Sequence, residues 1–475
     1  MLRLQETQQA TLWDSLFPAA AEVLPDDLAR LHEVLGNPAV LAPFQAHWER
    51  QEKELERSLS RFGRPTIAMA TYLRLMVVKH RTGWGYETLV KEVSDSFHLR
   101  RFCLIPLHAD VPHESTVRKL TRRLGSELTD ELIRELFRLA IRERRFRPRA
   151  MRSDSTVIEA DIRYPTDSGL AADAVGALAR AARKVRAAVP DASRKVRDRT
   201  RTVGKLLRQL GRTLRRRTGE AKAEVERLTK AAAAKVEVSL KEARKLVAQA
   251  RQSKLVAVGV SEQTRQRAIE QLVEMVSHSE RVVEQVRRRF AGEKIPDRLV
   301  SLFDPDARPV RRGKLSQPTQ FGSVVQVTEV TSHTGKGARG LILPPKLQAG
   351  STTENTLLPE TVNELVALDL HLKAAVFDGG FTINATTTEM ARTAAMGAAE
   401  PEVFIVGSHH NQGSHRHQRR LARYRVGAEG RISHLKRGYG VRRSHLKGTQ
   451  GARTWTGWAA FSYNADTIIR MGLPR

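Results

Sequence analysis

Arg425, Glu429 and Lys436 lie in the stretch LARYRVGAEGRISHLKRGYG. If it is helical, at about 100° per residue, Arg425 falls roughly 40° and Lys436 roughly 20° from Glu429 on one face. A carboxylate between two cations equips a phosphoryl-transfer site: an oxygen ligand for a hard divalent ion, with positive groups beside it to hold phosphates. The same spacing describes a surface salt-bridge ladder, because Arg and Glu at i, i+4 pair on ordinary helices. Two carboxylates further up the chain favour the first reading. Asp154 sits in RSDSTVIEADI, whose alternation and β-branched residues predict a strand to about Ile162. A carboxylate on a buried strand is costly unless it binds something, so Asp154 is a candidate metal ligand. Asp378 ends the apolar strand KAAVFD before a Gly-Gly turn. Glu159 and Asp161 have the opposite parity to Asp154 and fall outside the site.

The rest of the chain has to position these groups. Its 475 residues leave room for two to four domains. Lys and Arg number 81 against 52 acids, a net charge of +29. Such a surplus concentrates polyanions at the surface, and nucleic acid is the commonest; anionic membrane is the competing partner. No apolar run is long enough to span a bilayer and the N-terminus lacks the apolar core of a signal peptide, so no membrane partner and a cytoplasmic location are expected. The single cysteine, Cys103, excludes an internal disulfide and a Cys-based zinc site.

Residues 1–145 read as a helical, DNA-binding domain. An amphipathic segment closes at a Gly-Arg-Pro break, an apolar helix over TIAMATYLRLMVVKHRT stops at Gly83-Trp84-Gly85, and YETLVKEVSDS forms the next. A helix starting near His113 or Ser115 carries Arg118, Lys119, Arg122 and Arg123. Short helices with a basic last member describe a helix-turn-helix module or an ordinary bundle with a basic face, and both stand at this point. Residues 169–297 turn to Ala, Arg, Lys, Glu and Leu with apolar residues in a coiled-coil-like seam, Val196 to Leu214 and then Val225 to Val247, reversing at Thr218-Gly219. In this inserted basic arm, residues 193–219 hold Asp198 as their only acid, with Arg215, Arg216 and Arg217 among the cations. Charge of one sign repels itself unless a polyanion lies against it, so this run reads as a phosphate-backbone contact. Two antiparallel strands follow around Thr-Gly-Lys-Gly, then a helix at PETVNELVALDL, the strand ending in Asp378, a helix, the strand EVFIVG and the helix of Glu429. His409, His410, His415 and His417 fall in a basic loop with no acid or Cys to share a metal.

With the insertion removed, the order is β-β-β-α-β-α-β-α, that of a ribonuclease H-like α/β fold. Its mixed five-stranded sheet sets the first and fourth strands side by side. The expected fold class is therefore a ribonuclease H-like catalytic domain with an N-terminal all-α domain and a long helical, coiled-coil-like insertion. Its first part is 146–168 and its remainder 298–475. Three converging carboxylates would hold two Mg²⁺ ions, with Mn²⁺ as a substitute.

The chain resembles the bacterial insertion-sequence transposases of the DDE type. The matching stretches are GRPTIAMATYLRLMVVKHRTGWGYETLVKEVSDSFHLRRFC, RSDSTVIEADIRYPTDSGLAADAV, SLFDPDARPVRRGK, AVFDGGF and RVGAEGRISHLKRGYG with GARTWTGWAAFSYN. Arg425, Glu429 and Lys436 match the family's R-x₃-E-x₆-K signature. The resemblance implies Asp154, Asp378 and Glu429 as the catalytic, metal-binding triad, with Arg425 and Lys436 against DNA phosphate. It implies binding of double-stranded DNA, both terminal inverted repeats and target, by a homodimer or larger assembly, with metal-dependent strand cleavage and strand transfer. A nuclease without strand transfer and an inactive DNA-binding relic are the alternatives. Two positions depart from the family: Ala422 replaces the signature tyrosine, the nearest being Tyr424, and Gly379 follows the second Asp where a basic residue is usual.

Overall fold

Helices carry the chain to its first strand: α1 (Asp26–Gly36), α2 (Pro38–Glu54), α3 (Met69–Thr82), α4 (Tyr86–Asp95), α5 (Phe97–Phe102) and α6 (Glu114–Arg142). The computed structural model describes residues 2–5, 23–54, 66–216, 218–311, 318–396 and 400–471; the Gly-Arg-Pro break and Arg217 lie outside them. The predicted apolar helix is α3, buried at every position from Met69 to His80 and stopped by Gly83 in the left-handed region, φ 72°. The His113 side chain caps α6 by accepting from the Ser115 N–H, and Gly125, φ 65°, kinks that helix. Arg118, Lys119, Arg122 and Arg123 all precede the kink. Arg118 is paired with Glu114 and Arg123 lies 4.3 Å over the Trp48 ring, while Lys119 and Arg122 are exposed.

The chain divides into two compact units, Met1–Asp161 with Ser323–Arg475, and Ile162–Gly322. In the second, α7 (Asp167–Ala188), α8 (Thr200–Thr213), α9 (Gly219–Gln252) and α10 (Glu262–Phe290) bury a core that includes Val175, Leu178, Val236, Leu240 and Leu272. The middle of the seam expected from Val196 to Leu214 falls on the short α8, with Val196 in the link before it and Leu214 just past its end. Pro190 stops α7, because proline lacks the N–H and clashes with the preceding turn, and a non-helical link follows. The reversal falls where predicted, with the Thr218 hydroxyl accepting from the Ala221 N–H to cap α9. Asp167, buried at the start of α7, is paired with Arg289 and with Arg298 at 2.7 Å. Arg215 and Arg216 are exposed just beyond α8. Here too β2 (Arg308–Arg311) pairs antiparallel with the opening residues of β3 (Thr319–Thr331), Arg308 opposite Gly322.

In the first unit, β1 (Ala150–Ala160) is the centre of a mixed sheet. It neighbours β3 on one side; the Arg149 N–H donates to the Thr331 carbonyl at 2.9 Å and Ser153 faces Thr328 across 2.8 Å, so the two run antiparallel. On the other side β6 (Ala374–Phe377) is parallel to it, and β7 (Glu402–Ile405) parallel to β6. The five strands expected are too few, since β4 (Gly340–Ile342) and β5 (Lys346–Ala349) both pair with β3 and β8 (Arg443–Ser444) with β1. Strands of two to four residues are too short to show alternation, and Pro344-Pro345 breaks what reads as one strand into β4 and β5.

Helices α11 (Leu358–Ala367), α12 (Ile383–Ala391), α13 (His415–Gly438) and α14 (Gly448–Met471) complete the unit. Ala374, Val376 and Phe404 meet Leu421 and Tyr424 of α13 on one face of the sheet; Ala375, Phe377 and Ile405 point into the larger core that α14 shares with α3 and α6. The expected boundary at residue 145 is therefore no break between cores. Buried Asn464 on α14 pairs with both backbone groups of Ile342, at 2.8 Å each, standing in for a neighbouring strand. His415 and His417, expected in a loop, open α13 behind the Ser414 cap, and His417 pairs with Glu402. No described helix is long and apolar enough to cross a membrane.

Candidate active site

Parallel register brings the first two carboxylates together. Ser153 pairs with Phe377, so the next residues, Asp154 and Asp378, stand side by side where β1 and β6 meet. Arg152 and Asp154 share a face of β1 by parity. Each touches α13 one residue apart: Arg152 Nη1 donates to the Tyr424 carbonyl at 2.7 Å and Asp154 binds Arg425.

The Arg425 guanidinium then joins all three predicted acids. Nη2 lies 3.1 Å from Asp154 Oδ2 and 2.9 Å from Asp378 Oδ2, and Nη1 lies 2.5 Å from Glu429 Oε1. The structure therefore brings Asp154, Asp378 and Glu429 around one guanidinium, the first two on Nη2 and the third on Nη1. Lys436, half-buried, follows two turns later on the same helix face. Among the described residues no three His, Cys, Asp or Glu side chains form a ready metal-ligand set, since a guanidinium fills the point where these carboxylates meet. Burial pushes the Asp154 carboxyl up to about 6 against the pull of the Arg425 cation, and the charges of Asp378 and Glu354 add to the rise.

Glu354 escaped the sequence reading. It precedes α11 in the polar stretch STTENT, where nothing local distinguishes it. One of its oxygens accepts from the Ser155 hydroxyl at 2.6 Å; the other is buried with no hydrogen-bond partner. A buried carboxylate oxygen left unpaired is costly, so Glu354 adds uncompensated negative charge beside Asp154. Gly380, in the turn after Asp378, gives it room: a Cβ there would come within 2.9 Å of the Glu354 Cγ. Glu159 and Asp161, by contrast, pair with Arg443.

A second charged set fastens α13 to the sheet. Glu329 on β3 is 1% exposed and accepts from Arg152 and from Arg431, which stand 2.6 and 2.9 Å away, as well as from the Gly340 N–H. Tyr424 is buried, its hydroxyl 2.7 Å from Thr331 and its ring beneath the Arg152 guanidinium. It therefore serves as an anchor of α13. Gly427 is required by the same approach, because a methyl at this position would fall inside the Arg152 guanidinium. Helix propensity alone favours Ala over Gly by about 1 kcal/mol. Gly427→Ala is nevertheless expected to lower stability by about 1–3 kcal/mol through overpacking, which thermal unfolding would measure.

No curated protein and no solved structure matched this chain. Residues 31–123 match the family model described as Transposase domain (DUF772), which covers α1 in part, α2 to α5 and the first third of α6 and ends before every carboxylate of the site. That match supports a transposase.

Proposed function

We propose that this chain is the DNA transposase of an insertion sequence, with a ribonuclease H-like catalytic unit that cleaves DNA at the element's terminal inverted repeats and joins the freed 3′ ends to target DNA. The observation that carries the reading is the meeting of acids from β1, the end of β6 and α13 on one guanidinium, in a chain whose N-terminal helices match a transposase domain.

The donor set is made of hard carboxylate oxygens, and the orphaned Glu354 oxygen beside it adds unmet negative charge. Asp154, Asp378 and Glu429 would hold Mg²⁺, two ions being expected with Mn²⁺ as a substitute; when bound, they activate an attacking oxygen and stabilise the leaving one. Asp154 and Asp378, on neighbouring strands, fix the site rigidly, and α13 delivers Glu429 from above. With the carboxylates holding metal, the Arg425 guanidinium would be free to meet a DNA phosphate, with Lys436 beside it. The exposed Lys119 and Arg122 on α6, and Arg215 and Arg216 beyond α8, add backbone contacts that hold duplex without reading sequence. Two ends have to be held together, so a homodimer or larger assembly on DNA is part of the reading.

Incubating the full chain with end-labelled duplex carrying the repeats that flank its gene tests this directly. Cleavage should require Mg²⁺ or Mn²⁺ and stop in excess chelator; undiminished cleavage in chelator would remove the metal assignment. Supplying pre-cut ends then separates a transposase, which joins them to a second duplex, from a nuclease, which does not.

A further inference from the structure

Helix α13 has a second functional flank. Its buried stripe, Leu421, Tyr424, Ala428 and Leu435, packs on the unit, with Arg425 and Glu429 to one side. To the other side, at about 100° per residue, Arg416, Arg419, Arg423 and Arg437 fall within roughly 60° of one another and roughly 80–140° around the helix from Glu429. They form one wall of an open groove of about 1520 Å³. The facing wall is the turn between β3 and β4, which brings Lys336 and Arg339. No Asp or Glu lines the groove, and among the described residues none of these six cations pairs with a carboxylate. All six are exposed. Arg152 and Arg431 at the floor share one carboxylate, Glu329, and keep one net positive charge between them.

We infer that this groove is a second duplex-DNA site, which grips a phosphate backbone on the flank of α13 turned away from the carboxylates. Cations gathered with no acid among them repel one another unless a polyanion lies between them. The shape suits a backbone better than a small anion. From Arg416 to Arg437 the helix rises roughly 30 Å, the length of about nine base-pair steps along a duplex axis. Between the arginines Gly427 and Gly430 leave the wall low, and a side chain at Gly430 would meet nothing within 4 Å. That the site is a second one rests on reading the carboxylate flank as the place of strand cleavage. Joining requires two DNA segments held at once, and the two flanks of one rigid helix keep them at a constant separation.

The test compares the full chain with Arg416→Ala/Arg419→Ala/Arg423→Ala and with Lys336→Ala/Arg339→Ala, taking one variant from each wall. Fluorescence anisotropy of a labelled random-sequence duplex is followed across salt concentrations, together with metal-dependent cleavage of a short end duplex and its joining to a second duplex. Each lost phosphate contact should flatten the slope of log K against log salt by about 0.9. Affinity at low salt should fall at least tenfold in the triple variant, and joining should fall more than cleavage. An unchanged slope and affinity in both variants, with unfolding transitions like the parent's, would overturn the groove. So would tighter, groove-dependent binding to vesicles of anionic lipid, or to single-stranded RNA, than to duplex. If the slope flattens while the parent shows no cleavage under any metal, the groove stands and the transposase reading falls; cleavage with an unaltered slope removes the groove alone.

Discussion

Asp154→Asn is expected to reduce strand cleavage by about 10³-fold or more, the scale of removing a group that stabilises charge in a transition state. Duplex binding should stay within a few-fold, because the cations that grip the backbone are elsewhere on α13, α6 and the helical insertion. The variant should also be no less stable than the parent at neutral pH. Burial raises the Asp154 carboxyl from its ordinary 3.8 to about 6, so the folded protein holds a proton there that the unfolded chain gives up. The stabilisation from that proton is fully present below 3.8 and is lost as pH rises through about 6. At neutral pH the charged form is therefore a burden on the fold, and a neutral isostere relieves it. Asp378→Asn and Glu429→Gln should lose cleavage in the same way. Retained cleavage in all three, measured on end-labelled duplex with Mg²⁺, would end the catalytic assignment.

Glu329→Gln should cause the largest loss of stability, about 3–5 kcal/mol, the usual cost of stranding buried charge by removing its partner. Glu329 is the one carboxylate shared by two guanidinium groups, with Arg152 and Arg431 3% and 6% exposed, so neither cation can turn to water when the acid is lost. The loss is comparable with the whole margin of a typical domain, about 5–15 kcal/mol. Urea unfolding would show it as a lower midpoint with an unchanged slope. Replacing all three residues with apolar ones, Arg152→Met, Glu329→Leu and Arg431→Met, should recover much of the stability, because no charge then remains to be desolvated. Cleavage should not return with it. Arg152 also bonds the Tyr424 carbonyl, and without that bond α13 loses the fastening that sets Arg425 and Glu429 over β1. A Glu329→Gln protein that unfolds like the parent would dismiss the network as the fastening of α13.

Much of this arrangement is local and was legible before folding. The alternation in RSDSTVIEADI predicts β1 to within two residues at its end, and the parity that separates Asp154 from Glu159 follows from the two-residue repeat of a strand. Spacing alone predicts that Arg425 and Glu429 meet on one helix face, and the 2.5 Å contact between them is the result. The run of cations before Thr218, with Asp198 its only acid, and the overall charge lead to the expectation of a polyanion without any structure. Where local reading went astray, the signal was weak or mixed: strands of two to four residues show no period, and an apolar seam does not reveal where its helix begins and ends.

Residue types, their periodicity and the surplus of cations are properties of short windows, so the amino-acid sequence by itself determined the candidate carboxylates and the elements that carry them, and raised the expectation of a polyanion partner. Tertiary structure alone decided that Arg425 stands at the meeting point of three acids, that Glu354 joins them, that Glu329 holds α13 down, and that the far flank of this helix faces the β3–β4 turn across a basic groove. Each of those depends on side chains brought together from distant parts of the chain by sheet register and helix packing. Such proximity is set by the whole core at once and leaves no mark on the neighbours of any one residue.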